Sequence, residues 1–226
     1  MVDVISWIKR HPSAALLGVQ LASVLIYPFT GESTVGRTVF SAIGIVVLAL
    51  AVWSTAGSPA WTWVSIVLAV PATGFLLIES VTDVPALLPW SEALLAALYF
   101  YTAGALLAYM LADRHITTDE LYAVGATFTL LAWAFAHLYS WCQAVYPDSF
   151  VAAVDSEQQR SWMELLFLSF TTMSSTGLSD VVPVHPFARA LVMLEMVAGV
   201  GYIAMVISRL ITLLAPPRPG DRHSDA

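Results

Sequence analysis

Six runs of apolar residues, each long enough to cross a membrane as a helix, constrain the fold of this chain more than any other feature. A helix rises about 1.5 Å per residue and the hydrocarbon core of a bilayer is about 30 Å thick, so one crossing takes about 20 mostly apolar residues. Charged residues make up 11% of the chain, whereas an ordinary soluble domain carries about 25%. We therefore predict an all-α membrane protein with six transmembrane helices, at about residues 12–28, 38–56, 60–80, 86–112, 118–145 and 187–214.

The basic residues indicate how these helices are oriented. If both termini are cytoplasmic, that side carries Lys9, Arg10, Arg114, Arg209, Arg218 and Arg222, and the opposite side carries Arg37, Arg160 and Arg189. Cytoplasmic loops carry an excess of Lys and Arg, so we expect both termini to lie inside the plasma (inner) membrane. The first run follows Lys9 and Arg10 as in a signal peptide, but no small-x-small cleavage site follows it. We expect the first run to be retained as a helix.

Between the fifth and sixth runs lies an apolar stretch that is too short to cross the membrane. It covers Trp162 to Thr172 (WMELLFLSFTT) and leads into a hydroxyl-rich segment with a single glycine, FTTMSSTGLSDVVP at residues 170–183. Non-helical backbone at membrane depth persists only where it is buried in protein or lines a water-filled cavity. These residues predict a half-membrane helix that enters the bilayer and turns back, with a loop that faces a polar space.

The loop resembles the pore loop of tetrameric potassium-channel-type proteins, whose pattern is TTxTTVGYGD followed by a hydrophobic residue or two and a proline. The matching positions are Thr171, Thr172, Ser174, Ser175, Thr176, Gly177, Leu178, Ser179, Asp180 and Pro183. The sixth run (HPFARALVMLEMVAGVGYIAMVISRL) is similar to the inner helix of bacterial six-span relatives, and the fifth contains a similar run, DELYAVGATFTLLAWAFAHLY. The resemblance covers about residues 113–212, and over the first four runs it rests on hydrophobicity alone.

The resemblance implies a cation channel whose filter is a ring of backbone carbonyls. Because one chain supplies one loop, closing the ring implies a homotetramer. Ser175 takes the place of the threonine whose hydroxyl closes the cavity-side ion site, Thr176 stands for valine, and Gly177 stands for the first glycine. Glycine tolerates the positive φ that turns carbonyls inward, and the C-terminal end of the half-helix adds partial negative charge.

The outer half of the filter departs from the family pattern. Leu178 replaces the tyrosine that ties the filter to the pore helix, and Ser179 replaces the second glycine. A side chain at that glycine position costs about 1 kcal/mol if the backbone is left-handed. We therefore expect passive conduction of K⁺ and Na⁺ with weak or no selectivity. A strictly K⁺-selective channel, and a non-conducting protein that keeps the pore fold for a structural or interaction role, stay open. A secondary transporter is disfavoured because it typically has two broken helices.

The chain is expected to divide into three parts. Residues 1–115 are expected to form a four-helix N-terminal membrane domain. Residues 116–214 are expected to form the pore domain, with an outer helix, a pore helix (160–173), a filter (174–180) and an inner helix (187–214). Residues 215–226 are expected to be a disordered cytoplasmic tail. The fourth run contains no arginine, and voltage sensing needs several within a span.

Three residues of the sixth run invite separate hypotheses. Gly199 and Gly201 lie midway along it, as a gating hinge or as points of close packing against a neighbouring helix. Glu195 is an acid within a span, and we favour a hydrogen bond to the back of the half-helix over contact with ions.

Other classes of function have little support in the sequence. It contains no HExxH, GxSxG or phosphate-binding glycine loop, so we do not expect an enzyme. His137 and Cys142 are five residues apart, off one helical face, and do not suggest a metal site. We expect no cofactor or metal beyond permeant cations, no nucleic-acid partner and no soluble regulatory domain. The expected partners are the lipid bilayer and other copies of the chain.

Overall fold

The computed structural model describes residues 7, 11–30, 44, 46–47, 49–53, 62–81, 87–112, 117–154 and 158–214. This part of the chain is mostly helical. Its elements, in chain order, are α1 (Pro12–Thr30), α2 (Thr62–Val81), α3 (Leu88–Ala112), α4 (Thr118–Val145), β1 (Phe150–Ala152), α5 (Trp162–Met173), β2 (Val181–Pro183) and α6 (Pro186–Leu214). The described residues between 44 and 53 are helical as well.

Four helices in the described part of the chain are long and apolar enough to cross a membrane. They cover Pro12–Phe29, Leu88–Ala112, Thr118–Val145 and Pro186–Arg209. α2 lies over the predicted third run and contains a shorter apolar stretch, Trp63–Phe75. Most of the predicted second run (38–56) and the whole predicted tail (215–226) lie outside the described residues. The prediction of a membrane protein is confirmed, with four candidate spans rather than six in the described part.

α4 is the central helix, because it packs against α1, α3, α5 and α6. Contacts between Glu92 and His137 and between Tyr99 and Trp133 show that α3 runs antiparallel to α4. α1 runs parallel to α4, since Ser13 bonds to Asp119 near the start of α4. The largest cluster of buried side chains lies between these three helices and α5, and it includes Leu16, Leu98, Tyr99, Leu106, Leu130, Trp133 and Leu166.

Two short strands modify the expectation of an all-α chain. β1 and β2 pair antiparallel, with Phe150 opposite Pro183, Val151 opposite Val182 and Ala152 opposite Val181. Strands of three residues show no alternation long enough to be recognised in a sequence, and their pairing joins segments about 30 residues apart. The pairing fastens the segment after the filter to the segment after α4.

Candidate functional site

The site is built at the end of the short helix α5, whose start is firmly fixed. Ser161 is the N-cap and forms a capping box with Glu164, so two backbone donors of the first turn are satisfied. The helix therefore begins at Trp162, two residues after the predicted bound at 160. The Gln143 side chain on α4 makes two hydrogen bonds of 2.9 Å to the Arg160 backbone, and the Arg160 guanidinium lies 3.1 Å from the Glu164 carboxylate.

α5 ends where its last carbonyls collect the amides of the loop that follows. The Ser174 amide donates to the Phe170 carbonyl at 3.0 Å, and the amides of Thr176 and Gly177 both donate to the Thr171 carbonyl, at 2.9 and 3.1 Å. Ser175 and Gly177 have φ of +60° and +64°, whereas Ser174 between α5 and Ser175 is right-handed. The alternating backbone turns the amides of residues 174–177 back towards the half-helix.

The carbonyl oxygens of this loop are left available. No described residue donates a hydrogen bond to the carbonyls of Ser175, Thr176 or Gly177, and residues 174–178 are exposed. The hydroxyl groups of Ser174 and Thr176 lie 3.0 Å apart, and each also bonds to a carbonyl of the last turn of α5. An exposed row of unpaired carbonyls is the set of ligands that exchanges with the water shell of a cation.

The left-handed backbone is found at Ser175, whereas the sequence predicted it at Ser179. Left-handed geometry costs a residue with a side chain about 1–2 kcal/mol, and the expected position of this cost was Ser179. Among the described non-glycine residues only Asp148 and Ser175 have positive φ. The Ser179 hydroxyl instead accepts a hydrogen bond from the Val181 amide at 3.1 Å, and Leu178 is 76% exposed. The outer half of the loop therefore leaves the filter-like geometry and leads into β2.

The remaining predicted pore-helix residues lie behind this loop. Thr171 and Thr172 are buried in the last turn of α5. The Thr171 hydroxyl donates to the Leu168 carbonyl at 2.9 Å, so it supports the helix end rather than the loop. Asp180 is exposed at the far end of the loop, beside β2. The structure thus brings the predicted filter residues together, with the Ser174–Gly177 part and the Leu178–Asp180 part in different surroundings.

The inner helix α6 meets the back of α5 through Glu195 and Gly199. Glu195 is fully buried, and its carboxyl group is hydrogen-bonded to the hydroxyl groups of Tyr139 on α4 and Ser169 on α5. The expected hydrogen bond between Glu195 and the half-helix is therefore present. A Cβ added to Gly199 would lie 2.4 Å from the Met173 carbonyl oxygen, whereas a Cβ added to Gly201 meets nothing within 4 Å.

The opposite side of α6 packs against none of the other helices that the structure describes. The residues that face α4 and α5 follow helical spacing and include Ala188, Leu191, Glu195, Gly199 and Tyr202. Large apolar side chains on the other side are exposed, among them Met193, Leu194, Val197, Val200 and Ile211. In its most apolar stretch, α6 has 28% of its residues buried, whereas α4 has 61%. This face is free to contact lipid or further copies of the chain.

A buried pair on α3 and α4 was not predicted. His137 Nδ1 lies 2.6 Å from a carboxylate oxygen of Glu92, and the His137 ring stacks on Tyr99. The signal was available, since an ionisable residue within a span needs a nearby partner. Cys142, five residues further along α4, is buried and free. In the part of the chain that the structure describes, no three His, Cys, Asp or Glu side chains cluster as metal ligands would.

Comparison with known families agrees with this geometry. Residues 126–215 match the family model described as ion channel, which covers most of α4, all of α5 and the loop, and α6. This part of the chain is therefore similar to ion-channel domains, which supports the potassium-channel-type superfamily that the loop motif indicated. The protein is thus a membrane protein with an ion-channel domain. Neither the curated proteins nor the solved structures gave a significant match to the chain.

Proposed function

We propose that this protein is a homotetrameric channel that conducts monovalent cations passively, with K⁺ and Na⁺ as permeant ions and no cofactor. The observation that carries the proposal is the loop at residues 174–177. Its amides are bound to the end of α5, while the carbonyls of Ser175, Thr176 and Gly177 are exposed and unpaired. A ring of such carbonyls, one set from each copy, replaces the hydration shell of a cation.

The dimensions of α5 and α6 support a re-entrant helix. α5 has 12 residues and is therefore about 18 Å long, which is too short to cross a bilayer. Its last residue, Met173, meets Gly199, which is 13 residues from Pro186 and 15 from Leu214. At about 1.5 Å per residue, Met173 lies about 20 Å from each end of α6. The filter loop would then begin near the middle of the membrane. The predicted second and third runs (38–56 and 60–80) would add two crossings to the four candidate spans and make six.

Assembly around an axis explains the surfaces that one chain leaves uncovered. One chain contributes a single loop, and a loop with no chain opposite it cannot enclose an ion. The exposed loop follows α5, and α5 packs against α6, which carries the exposed apolar face. Neighbouring copies of the chain would therefore cover both surfaces. Closed rotational symmetry is the usual arrangement of identical subunits. With both termini cytoplasmic in the plasma (inner) membrane, the partial negative charge at the end of α5 faces the inner cavity and favours cations.

The outer half of the loop supports weak selectivity between K⁺ and Na⁺. Discrimination between these ions needs several consecutive oxygen rings held at a fixed size or field strength. Here the segment from Ser175 to Gly177 contains the two left-handed residues of the loop, whereas the Ser179 hydroxyl accepts a hydrogen bond from the Val181 amide. A path with fewer ordered rings admits both ions. Strict K⁺ selectivity would require Ser179 to adopt a left-handed conformation in the assembled channel.

The experiment that tests this proposal compares two glycine variants in liposome flux assays. Gly177 has φ of +64°, so Gly177→Ala strains the loop although a Cβ there meets nothing within 4 Å. Gly18→Ala is the matched control, since a Cβ at Gly18 on α1 also has open space and no positive φ is involved. We expect Gly177→Ala to lose most of its K⁺ flux and Gly18→Ala to keep it. Equal flux in the two variants would contradict a path through this loop.

A further inference from the structure

Two contacts, one helical turn apart, join one side of α6 to the C-terminal part of α5. Glu195 contacts Ser169 and, one helical turn further on, Gly199 contacts Met173. Both pairs are spaced by four residues, so the two helices run in the same direction along this seam, which we call the 195/199 seam. We propose that Glu195 is a positioning residue for ion conduction: together with Gly199 it holds the last turn of α5 against α6 and thereby fixes the filter loop. The inference rests on the proposed channel function.

The hydrogen bonds of Glu195 join three helices at one buried point. Its two carboxyl oxygens bond to Tyr139 on α4 and to Ser169 on α5. The Ser169 hydroxyl also lies 2.8 Å from the Ala132 carbonyl on α4. A buried polar group is stable only when its hydrogen bonds are made, and removing one partner leaves the others unsatisfied. Glu195 is therefore the group on which the relative positions of α4, α5 and α6 depend at this depth.

The seam continues directly into the loop. Met173 is the residue before Ser174, and its backbone lies so close to Gly199 that a Cβ there would be 2.8 Å from the Met173 Cα. Two residues earlier, the Thr171 carbonyl holds the amides of Thr176 and Gly177. A shift of the last turn of α5 therefore moves the carbonyls that form the proposed ion path. No flexible segment separates Glu195 from this path that could absorb such a shift.

Two substitutions of Glu195 separate positioning from charge. In Glu195→Gln, the amide oxygen accepts from Tyr139 and the amide nitrogen donates to the Ser169 hydroxyl, whose own proton then serves Ala132. Glu195→Leu has a similar size and makes none of these bonds. We expect Glu195→Gln to keep the flux and the ratio of K⁺ to Na⁺ flux of the unmodified protein. We expect Glu195→Leu to lose about tenfold of its K⁺ flux, as when one buried hydrogen bond is left unmade, and to change the ratio.

The assay uses the full chain, purified and reconstituted in liposomes, with the oligomer size of each variant measured beforehand. Ser169→Ala removes the same bond from the α5 side and serves if Glu195→Leu does not assemble. In the double variant Glu195→Leu/Ser169→Ala, the loss should be smaller than the sum of the two single losses, because both changes remove the bond between Glu195 and Ser169.

The possible outcomes distinguish this inference from the proposed function. Retained flux and flux ratio in Glu195→Gln, with a changed ratio in Glu195→Leu or Ser169→Ala, would support positioning. Unchanged flux ratio in an assembled Glu195→Leu, or additive losses in the double variant, would overturn the positioning role and leave the channel function intact. Absence of cation flux in the unmodified protein would overturn the proposed function, and the inference with it.

Discussion

The contrast between Gly199 and Gly201 gives the sharpest prediction from this structure. A Cβ at Gly199 would lie 2.4 Å from the Met173 carbonyl oxygen and 2.8 Å from its Cα, about 1 Å closer than ordinary carbon–oxygen contacts of about 3.3–3.6 Å. α5 and α6 would have to separate, and overpacking of this kind costs about 1–3 kcal/mol. At Gly201 the same Cβ meets nothing within 4 Å.

Comparing Gly199→Ala with Gly201→Ala isolates the effect of the contact with Met173 on stability. Alanine is favoured over glycine in a helix by about 1 kcal/mol, and this gain is the same at both positions of α6. We therefore expect Gly201→Ala to be about 1 kcal/mol more stable than the unmodified protein and Gly199→Ala to be about 1–3 kcal/mol less stable than Gly201→Ala. The assay is thermal unfolding of the purified variants in one detergent, followed by K⁺ flux in liposomes.

The result also decides between the two roles of these glycines. If they act as a hinge, both alanine variants stiffen α6 and should change flux alike. If Gly199 acts through close packing, only Gly199→Ala should lose stability and flux. Equal stability of the two variants, or greater stability of Gly199→Ala, would refute the packing argument.

Two further predictions concern the ends of α5. Ser175 has φ of +60°, so Ser175→Gly should raise the free energy of unfolding by about 1 kcal/mol. Ser174 is right-handed, so Ser174→Gly should bring no such gain. Thermal unfolding of the two variants checks this, and a loss of stability in both would contradict the assigned geometry. Ser161→Ala removes the N-cap of α5 and should lower stability by about 1 kcal/mol, while Ser161→Asp should retain most of it; equal stability of these two variants would show that the cap contributes little.

Much of the pore region could be predicted because its signals are local. The length of an apolar run decides whether a helix crosses a membrane, which is why the helix at Trp162–Met173 could be recognised as short. The hydroxyl-rich loop with one glycine carried the family resemblance, which the ion-channel match at residues 126–215 confirms. Glu195 was a candidate partner of the half-helix because a buried carboxyl needs hydrogen bonds.

Other features depend on contacts between distant segments and were missed for that reason. The pairing of β1 with β2 joins residues about 30 apart and has no local pattern. The position of backbone strain was misplaced, because the family pattern points to Ser179 whereas the amides of residues 174–177 close onto the end of α5 and leave Ser175 left-handed. The bond between Glu92 and His137 requires knowing that α3 and α4 are antiparallel at that register.

The filter sequence predicted the chemistry of the loop better than its extent. Hydroxyl groups and a glycine were expected to surround an ion path from Ser174 to Asp180. In the structure, residues 174–177 have amides bonded to the end of α5 and carbonyls to which no described residue donates. From Leu178 onward the chain leads towards β2, and this strand is what the sequence did not reveal. The extent of the proposed ion path is therefore set by the pairing of β2 with β1 rather than by the motif.

The measurement that tests the central claim most directly is the flux of K⁺, Na⁺ and Cl⁻, each measured separately, into liposomes that contain the purified protein. We predict entry of K⁺ and Na⁺ at comparable rates and no entry of Cl⁻, because unpaired carbonyls and the C-terminal end of α5 favour cations. Strong preference for K⁺ would contradict the weak selectivity assigned to the outer half of the loop. Entry of Cl⁻, or of no ion at all, would contradict the proposal that residues 174–177 form a cation path.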